Sequence, residues 1–139
     1  MDAEFYASES SSAPMHIGSL AIVENAHGAL AYERLVDIVD ARLALVPRYR
    51  QRVREVPFNL GRPVWVDDRD FDVTYHIRRS ALPTPGSDEQ LYELVARLMS
   101  RPLDRTMPLW EMYLIEGLSG GRCAIFTKSH SALVDGDEA

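Results

Sequence analysis

Two adjoining segments read Arg122-Cys-Ala-Ile-Phe-Thr-Lys-Ser129 and His130-Ser-Ala-Leu-Val-Asp135-Gly136. The apolar and β-branched residues of the first segment predict a strand, and the Asp-Gly pair of the second predicts a turn. An imidazole is therefore expected where the strand ends, and a carboxylate at the turn that follows. Because binding and catalytic side chains are concentrated in such connecting segments, His130 and Asp135 are candidate functional residues.

The second segment, residues 130–136, also carries a resemblance. It resembles the His-His-x-x-x-Asp-Gly motif of acyl-CoA-dependent acyltransferases with the fold of chloramphenicol acetyltransferase, a group that includes the condensation domains of peptide synthetases. Residues 108–111, Pro-Leu-Trp-Glu, are similar to a block of the bacterial, bifunctional wax ester synthase/diacylglycerol acyltransferase family. Residues 14–20 and 47–52 resemble two further blocks of that family, so the resemblance covers essentially the whole chain. Condensation domains, which lack the Pro-Leu-Trp-Glu block, are the poorer match.

The resemblance assigns roles to residues 130–136, and one position departs from the pattern. In the family the second histidine of the pair is the general base, and this chain has Ser131 there, while His130 matches the first, non-catalytic histidine. A serine hydroxyl cannot accept a proton near neutral pH, whereas imidazole can. Losing a positioned base costs roughly 100- to 10,000-fold in rate. Asp135 is expected to hold the loop geometry, and Gly136 to permit the tight turn.

One interpretation of Ser131 is that the chain has lost its general base. The alternative is that His130 acts as the base. Adjacent residues on an extended segment point to opposite sides, so His130 would not replace a base at position 131 unless the strand end relaxed that rule. The catalytic candidates are therefore His130, Ser131 and Asp135.

A second set of candidates lies in the Pro-Leu-Trp-Glu block. Its four residues, with Gly136, are expected to act structurally within the motifs. Trp110 is expected to be a buried anchor aromatic, and the alternative is that Trp110 and Glu111 shape a substrate channel. The members of the block are Pro108, Leu109, Trp110 and Glu111.

The resemblance implies transfer of a fatty acyl group from acyl-CoA to diacylglycerol or a long-chain alcohol, with acyl-CoA as substrate and no cofactor or metal. The implied fold is α/β (α+β): a two-layer sandwich with a mixed sheet and helices, of which this chain is part of the first lobe. The alternative function is a catalytically dead acyl-lipid-binding or partner-interaction remnant of the same fold.

The domain expected for residues 1–139 is an incomplete N-terminal acyltransferase domain without its second lobe. The chain ends three residues after Gly136, which favours a split or shortened gene product or a domain fragment. Its expected partners are acyl-CoA and a lipid alcohol. Two further options are a second chain that supplies the missing lobe, and peripheral contact with the inner membrane or lipid inclusions.

Composition excludes other classes of protein. A net charge of −6 and a pI near 5.1 argue against nucleic-acid binding. The one cysteine, Cys123, excludes an internal disulfide framework and is expected to be a small buried hydrophobe. No apolar run has the length of a membrane span, and the acidic N-terminus lacks the features of a signal peptide, which predicts a cytoplasmic protein.

Periodicity predicts the remaining elements. Helices are expected over residues 30–46 and 87–100, the second beginning with a capping box formed by Ser87 and Gln90. Strands are expected over residues 15–24, 64–66, 71–78 and 109–115, and the last forms a hairpin with the strand that ends at Ser129.

The sequence leaves open the roles of an arginine-rich segment and of several histidines. The alternation over residues 48–54 would set four guanidinium groups on one strand face, either as a solvated face or as a site for the phosphates of coenzyme A or a lipid headgroup. His16 and His76 are expected to be structural strand histidines, and the alternative for His16, which lies in a block that resembles the family, is a functional role. A metal site of His76, His130 and Asp135 matches no known ligand spacing.

Overall fold

The computed structural model describes residues 16–25, 30–54, 64–131 and 133. A 3₁₀ turn covers Pro47–Arg50. The strands and helices are β1 (His16–Glu24), α1 (Tyr32–Leu43), β2 (Gln51–Arg54), β3 (Val64–Asp67), α2 (Val73–His76), β4 (Ile77–Ala81), α3 (Asp88–Ser100), β5 (Trp110–Leu118) and β6 (Arg122–His130).

The main sheet has four strands in the order β1-β6-β5-β4. β6 pairs antiparallel with both β1 and β5, and β4 pairs parallel with β5. β2 and β3 form a separate two-stranded antiparallel sheet. The prediction of a mixed sheet with helices is confirmed, as is the hairpin formed by β5 and β6. β6 is one of the two inner strands and carries His130 at its end.

Helix α3 packs on one face of the main sheet. Its stripe of Leu91 and Leu98 forms a buried cluster with Tyr113, Ile115 and Phe126 from alternate positions of β5 and β6. The predicted capping box is present, since the backbone N–H of Gln90 donates to Ser87 Oγ and that of Ser87 donates to Gln90 Oε1. A local hydrogen-bonding signal therefore sets where this helix begins.

Helix α1 packs on the opposite face. Leu35 and Leu43 join a cluster with Trp110, Leu114 and Cys123, which occupy the other alternate positions of the strands. Cys123 is buried, as expected, and burial raises the pKa of its thiol. The thiol is therefore held as a neutral, small apolar group.

The predicted four-arginine strand face is wrong. Pro47 begins a 3₁₀ turn over Pro47–Arg50, so only Gln51–Arg54 is extended. Proline has the backbone angle of a first helical position, which favours the turn over continued extension. The guanidinium of Arg48 lies 4.5 Å from the ring centroid of Trp65, and that of Arg50 lies 5.0 Å from Phe71.

The predicted strand over residues 71–78 is also wrong in its first half, because Val73–His76 is a helical turn and the strand begins at Ile77. The Asp72 carboxylate accepts hydrogen bonds from the backbone N–H and the hydroxyl of Thr74 at 2.9 and 2.6 Å. This capping outweighs the β-propensity of the segment. As a result His76 lies on a helical turn, not on a strand.

Candidate functional site

His130 is the last residue of β6 and is completely buried. Its backbone N–H donates a 3.0 Å hydrogen bond to the carbonyl oxygen of Leu109. The candidate histidine and the Pro-Leu-Trp-Glu block are therefore fixed to each other by the main chain. Ser131 is partly exposed directly after it, and Asp135 and Gly136 lie outside the described residues.

A second histidine lies beside His130. His16, the first residue of β1, is the antiparallel partner of His130, and the two rings meet edge to face with their centroids 6.3 Å apart. The sequence favoured a structural role for His16 over a functional one, and nothing in the local pattern shows which strand lies next to β6. The sheet register thus brings together two imidazoles from distant parts of the chain.

Trp110 is a buried anchor, as expected, with only 2% of its surface exposed. Its indole N–H donates a 2.7 Å hydrogen bond to the carbonyl oxygen of Tyr49, and its ring meets that of Tyr49 edge to face at 6.0 Å. Pro108 and Leu109 are also buried. The block therefore ties β5 to the segment that follows α1 and holds the carbonyl that receives the His130 N–H.

His76 extends this anchor into an aromatic stack. Its ring lies between Trp110, at a centroid distance of 4.7 Å, and Phe71, at 5.3 Å, and is nearly parallel to both. Nδ1 lies 2.7 Å from the carbonyl oxygen of Trp110. A carbonyl only accepts, so Nδ1 carries the proton, and Nε2 is a buried acceptor without a partner among the described residues. Burial lowers the pKa of His76, so the ring is held neutral, and its expected structural role is confirmed.

Glu111, the fourth residue of the block, is part of a polar group on the α3 face. Its Oε1 accepts a 2.9 Å hydrogen bond from the Tyr113 hydroxyl, and its Oε2 lies 3.9 Å from the guanidinium of Arg78. Burial, followed by the neighbouring Glu111 charge, raises the pKa of Tyr113 to about 12. The phenol therefore remains protonated and holds the carboxylate in place.

A buried lysine was not found by sequence reasoning. Lys128 is 1% exposed and is the register partner of Glu111 on the neighbouring strand. Its Nζ donates to the carbonyl oxygens of Leu98 and Arg101 at the C-terminal end of α3. A cation at a helix C-terminus is favourable, because the last carbonyls lack partners within the helix. Two residues before His130, Lys128 thus fixes β6 to α3.

The polar side chains near the end of β6 thus include His16, His130, Ser131, Lys128 and Glu111. They offer two imidazoles, a hydroxyl, an ammonium group that donates to backbone carbonyls, and a carboxylate that is ion-paired and hydrogen-bonded. Such a set can accept and orient a proton, and it contains no thiolate. Across the residues that the structure describes, no three His, Cys, Asp or Glu side chains are grouped as metal ligands would be. Nor does any helix in that part of the chain have the length and apolarity to cross a membrane.

A model of the wax ester synthase/diacylglycerol acyltransferase catalytic domain matches residues 1–139. The chain belongs to this family. The wax ester synthase/diacylglycerol acyltransferase resemblance of the two motif segments is thereby confirmed over the whole chain.

Several curated wax ester synthase/diacylglycerol acyltransferase relatives are mycobacterial. The probable diacylglycerol O-acyltransferase tgs3 of Mycobacterium tuberculosis is 59% identical over 97% of this chain and 50% of its own length. The probable diacylglycerol O-acyltransferase tgs1 is 48% identical over 86% of this chain and 26% of its own length. The protein tgs2 is 42% identical over 99% of this chain and 31% of its own length. The chain therefore spans half or less of the length of these relatives.

Solved structures show the same fold. The wax ester synthase/diacylglycerol acyltransferase of Marinobacter aquaeolei VT8 matches with a TM-score of 0.80 and 37% identity, over 98% of this chain and 34% of that chain. The first condensation domain of the CDA synthetase matches with a TM-score of 0.64 and 18% identity, over 84% of this chain and 30% of that one. The condensation-domain likeness shows a shared fold, in line with the predicted chloramphenicol acetyltransferase-like class.

Proposed function

We propose that this chain carries the motif-bearing part of an acyl-CoA-dependent O-acyltransferase acting on diacylglycerol or a long-chain alcohol. The observation that carries the proposal is the attachment of His130 to the Pro-Leu-Trp-Glu block through the Leu109 carbonyl. The 59% identity with a probable diacylglycerol O-acyltransferase supports the acceptor class. The proposed substrates are acyl-CoA and a lipid alcohol, with no additional cofactor.

In the proposed reaction a base removes the proton of the acceptor hydroxyl while its oxygen attacks the thioester carbonyl of acyl-CoA. The carbon–sulfur bond breaks, an ester forms, and coenzyme A leaves as the thiol after taking up the proton. Ser131 occupies the position of the family's base, so we expect slow turnover. His130 is the candidate replacement, and its complete burial limits its access to substrate.

The relatives are longer than the segment they share with this chain. We therefore propose that turnover needs the remaining part of the fold, present in the same protein or supplied by a second chain. The test uses the chain alone and a chimera in which it replaces the matched segment of the Marinobacter enzyme. Both are assayed for thiol release from palmitoyl-CoA with diacylglycerol or hexadecanol as acceptor.

The decisive comparison is between Ser131→His, His130→Ala and the unchanged chain within the chimera. Restoring the base is expected to raise acceptor-dependent release about 100-fold or more. His130→Ala is expected to abolish the residual activity if His130 has become the base, and to leave it nearly unchanged if His130 holds only structure. No release from the Ser131→His chimera would contradict the acyltransferase proposal, provided that the chimera melts cooperatively.

A catalytically dead acyl-lipid-binding protein of the same fold is the second candidate. Ser131 at the base position favours it, because the fold can hold a ligand without proton transfer. Tight palmitoyl-CoA binding without turnover, in both the unchanged and the Ser131→His chimera, would support this second function. Turnover in the Ser131→His chimera with none in the unchanged chimera would support a remnant that has lost its base.

For the proposed peripheral lipid contact, at the cytoplasmic face of the inner membrane or at lipid inclusions, the end of α1 is the favoured surface. Leu45, two residues after the end of this helix, is 81% exposed. Leu45→Gln is expected to lower binding to phosphatidylglycerol-containing vesicles by about three- to tenfold. Tyr92→Gln is the matched control, because Tyr92 is 55% exposed on α3. Equal binding by both variants and the unchanged chain would rule out this surface.

A further inference from the structure

A cavity lies between the end of α1 and the main sheet, on the face opposite α3. Val39, Leu43 and Val46 line one side, and Trp110 and Met112 of β5 line another. Its volume is about 200 Å³. Glu111, Tyr113 and Lys128 alternate with the lining strand positions, so the polar group near His130 faces the other way. The cavity therefore shares Trp110 with the candidate site but lies on the other face of the sheet from Glu111 and Lys128.

Tyr49 and Thr127 complete the wall of this cavity, and the surface of the wall is apolar. The part formed by the described residues exposes no polar atom. The indole N–H of Trp110 is turned away, because it is hydrogen-bonded to Tyr49 O. An apolar cavity offers water no hydrogen-bonding partners, so an apolar group is the favoured occupant.

One charged residue stands at the rim. Arg42, in the last turn of α1, lines the cavity but presents only carbon to it. Its methylene chain therefore forms part of the wall, and its guanidinium extends beyond it toward solvent. No described carboxylate forms an ion pair with Arg42. A guanidinium at the mouth of an apolar cavity fits a ligand with an alkyl chain and an anionic end.

We propose that this cavity binds the alkyl chain of a free fatty acid, with the carboxylate at Arg42. At roughly 30 Å³ per methylene, close to the volume of a water molecule, about 200 Å³ accommodates roughly six or seven carbons. The seven-carbon alkyl chain of octanoate is therefore about the longest that fits, with its carboxylate outside, and a longer acid inserts its chain only in part. The site lies beyond the proposed acyl transfer and does not depend on it.

Calorimetric titration of the chain with octanoate and, separately, with 1-octanol tests the two halves of this recognition. Octanoate is expected to bind more tightly than octanol. Arg42→Gln is expected to weaken octanoate about two- to fivefold, the effect of one exposed ion pair, and to leave octanol unchanged. Arg34→Gln removes the same charge from an exposed position of α1 that does not line the cavity, and is expected to change neither affinity.

Filling the cavity tests the position of the alkyl chain. Val39→Phe and Val46→Phe are each expected to weaken octanoate and octanol by about tenfold or more. Both positions are tested because one substitution can disturb folding. If the melting transition of one variant is altered, the other variant provides the result. Octanoyl-CoA in place of octanoate distinguishes a free acid from the acyl group of the thioester, which lacks the carboxylate.

Three outcomes would overturn the proposal. The first is unchanged octanoate affinity in folded Val39→Phe or Val46→Phe, and the second is equal loss in Arg42→Gln and Arg34→Gln. The third is octanoyl-CoA binding that exceeds octanoate binding and survives Arg42→Gln. Because the titrations contain no acyl acceptor, they are read independently of whether the chain or its chimera transfers acyl groups.

Discussion

His16 and His130 face each other across the β1–β6 pair, and their rings meet edge to face at 6.3 Å. This contact joins the first described strand to the residue that opens the candidate motif. Aromatic pairs in this geometry contribute about 0.5–1.5 kcal/mol beyond the area they bury. The pair therefore helps to hold the candidate histidine, whatever its role in proton transfer.

A double-mutant cycle measures that contribution. His16→Ala, His130→Ala and the double variant are compared with the unchanged chain by urea unfolding. A coupling free energy of about 0.5–1.5 kcal/mol is expected, since each single change removes the same ring contact. Additive losses in the double variant would contradict an energetic link between the two rings.

Trp110→Phe is expected to lower the free energy of unfolding by about 1–3 kcal/mol, because it leaves the Tyr49 carbonyl without its hydrogen bond from the indole N–H. Trp65→Phe is the control. Trp65 is only half-buried, and the guanidinium of Arg48 lies over its ring, so a loss of about 1 kcal/mol or less is expected. If the control costs as much as Trp110→Phe, the anchor role of this hydrogen bond is refuted.

The buried imidazole of His76 predicts a pH dependence of stability. Burial lowers its pKa below the ordinary value of 6.5. As the pH falls below that value, the unfolded chain takes up a proton that the folded chain does not. Stability from this group is thus present above about pH 6.5 and is lost toward lower pH, with a slope of at most about 1.4 kcal/mol per pH unit.

His76→Phe keeps a ring in the stack and removes the titrating group. Its unfolding free energy is expected to fall less than that of the unchanged chain between about pH 7 and 5. Hydrogen bonds from Thr74 and Thr106 lower the carboxyl pKa values of Asp72 and Asp104 from the ordinary value of 3.8. These two groups therefore affect the pH dependence of stability only below that value, outside the range in which His76 titrates. Parallel pH curves for the two proteins would show that His76 does not carry the effect.

Two glycines with similar backbone angles predict different costs of substitution. Gly86 has φ of +70°, and a Cβ there would lie 1.9 Å from the carbonyl oxygen of Gly117. Gly120 has φ of +76°, and outside its adjoining residues the atom nearest to a Cβ there would be Arg122 Nε, at 3.8 Å. Gly120→Ala is expected to cost about 1–2 kcal/mol from the backbone angle alone. Gly86→Ala adds a clash with main-chain atoms and should cost about 4 kcal/mol or more, measured by urea unfolding. Similar losses would refute the close packing of the two turns.

Local patterns were sufficient for most of the elements. The capping box at Ser87 and the apolar stripe of α3 depend on residues within a few positions of one another, and the strand that ends at His130 is a continuous β-forming run. The exceptions are residues 47–50 and 73–76. There a proline at a first helical position and the Asp72 cap outweighed the alternation and β-propensity that predicted extended chain.

The features of the candidate site also fall into those that local sequence predicts and those that depend on tertiary contacts. The sequence by itself determined the family motifs, the strand that carries His130 and the buried role of Trp110, because these follow from residue type and short-range order. Only the tertiary structure decided that His16 lies opposite His130, that His76 stacks on Trp110, and that Lys128 is buried at the end of α3. Those contacts join residues far apart in the chain, and they depend on sheet order, strand register and helix packing, which no local pattern specifies.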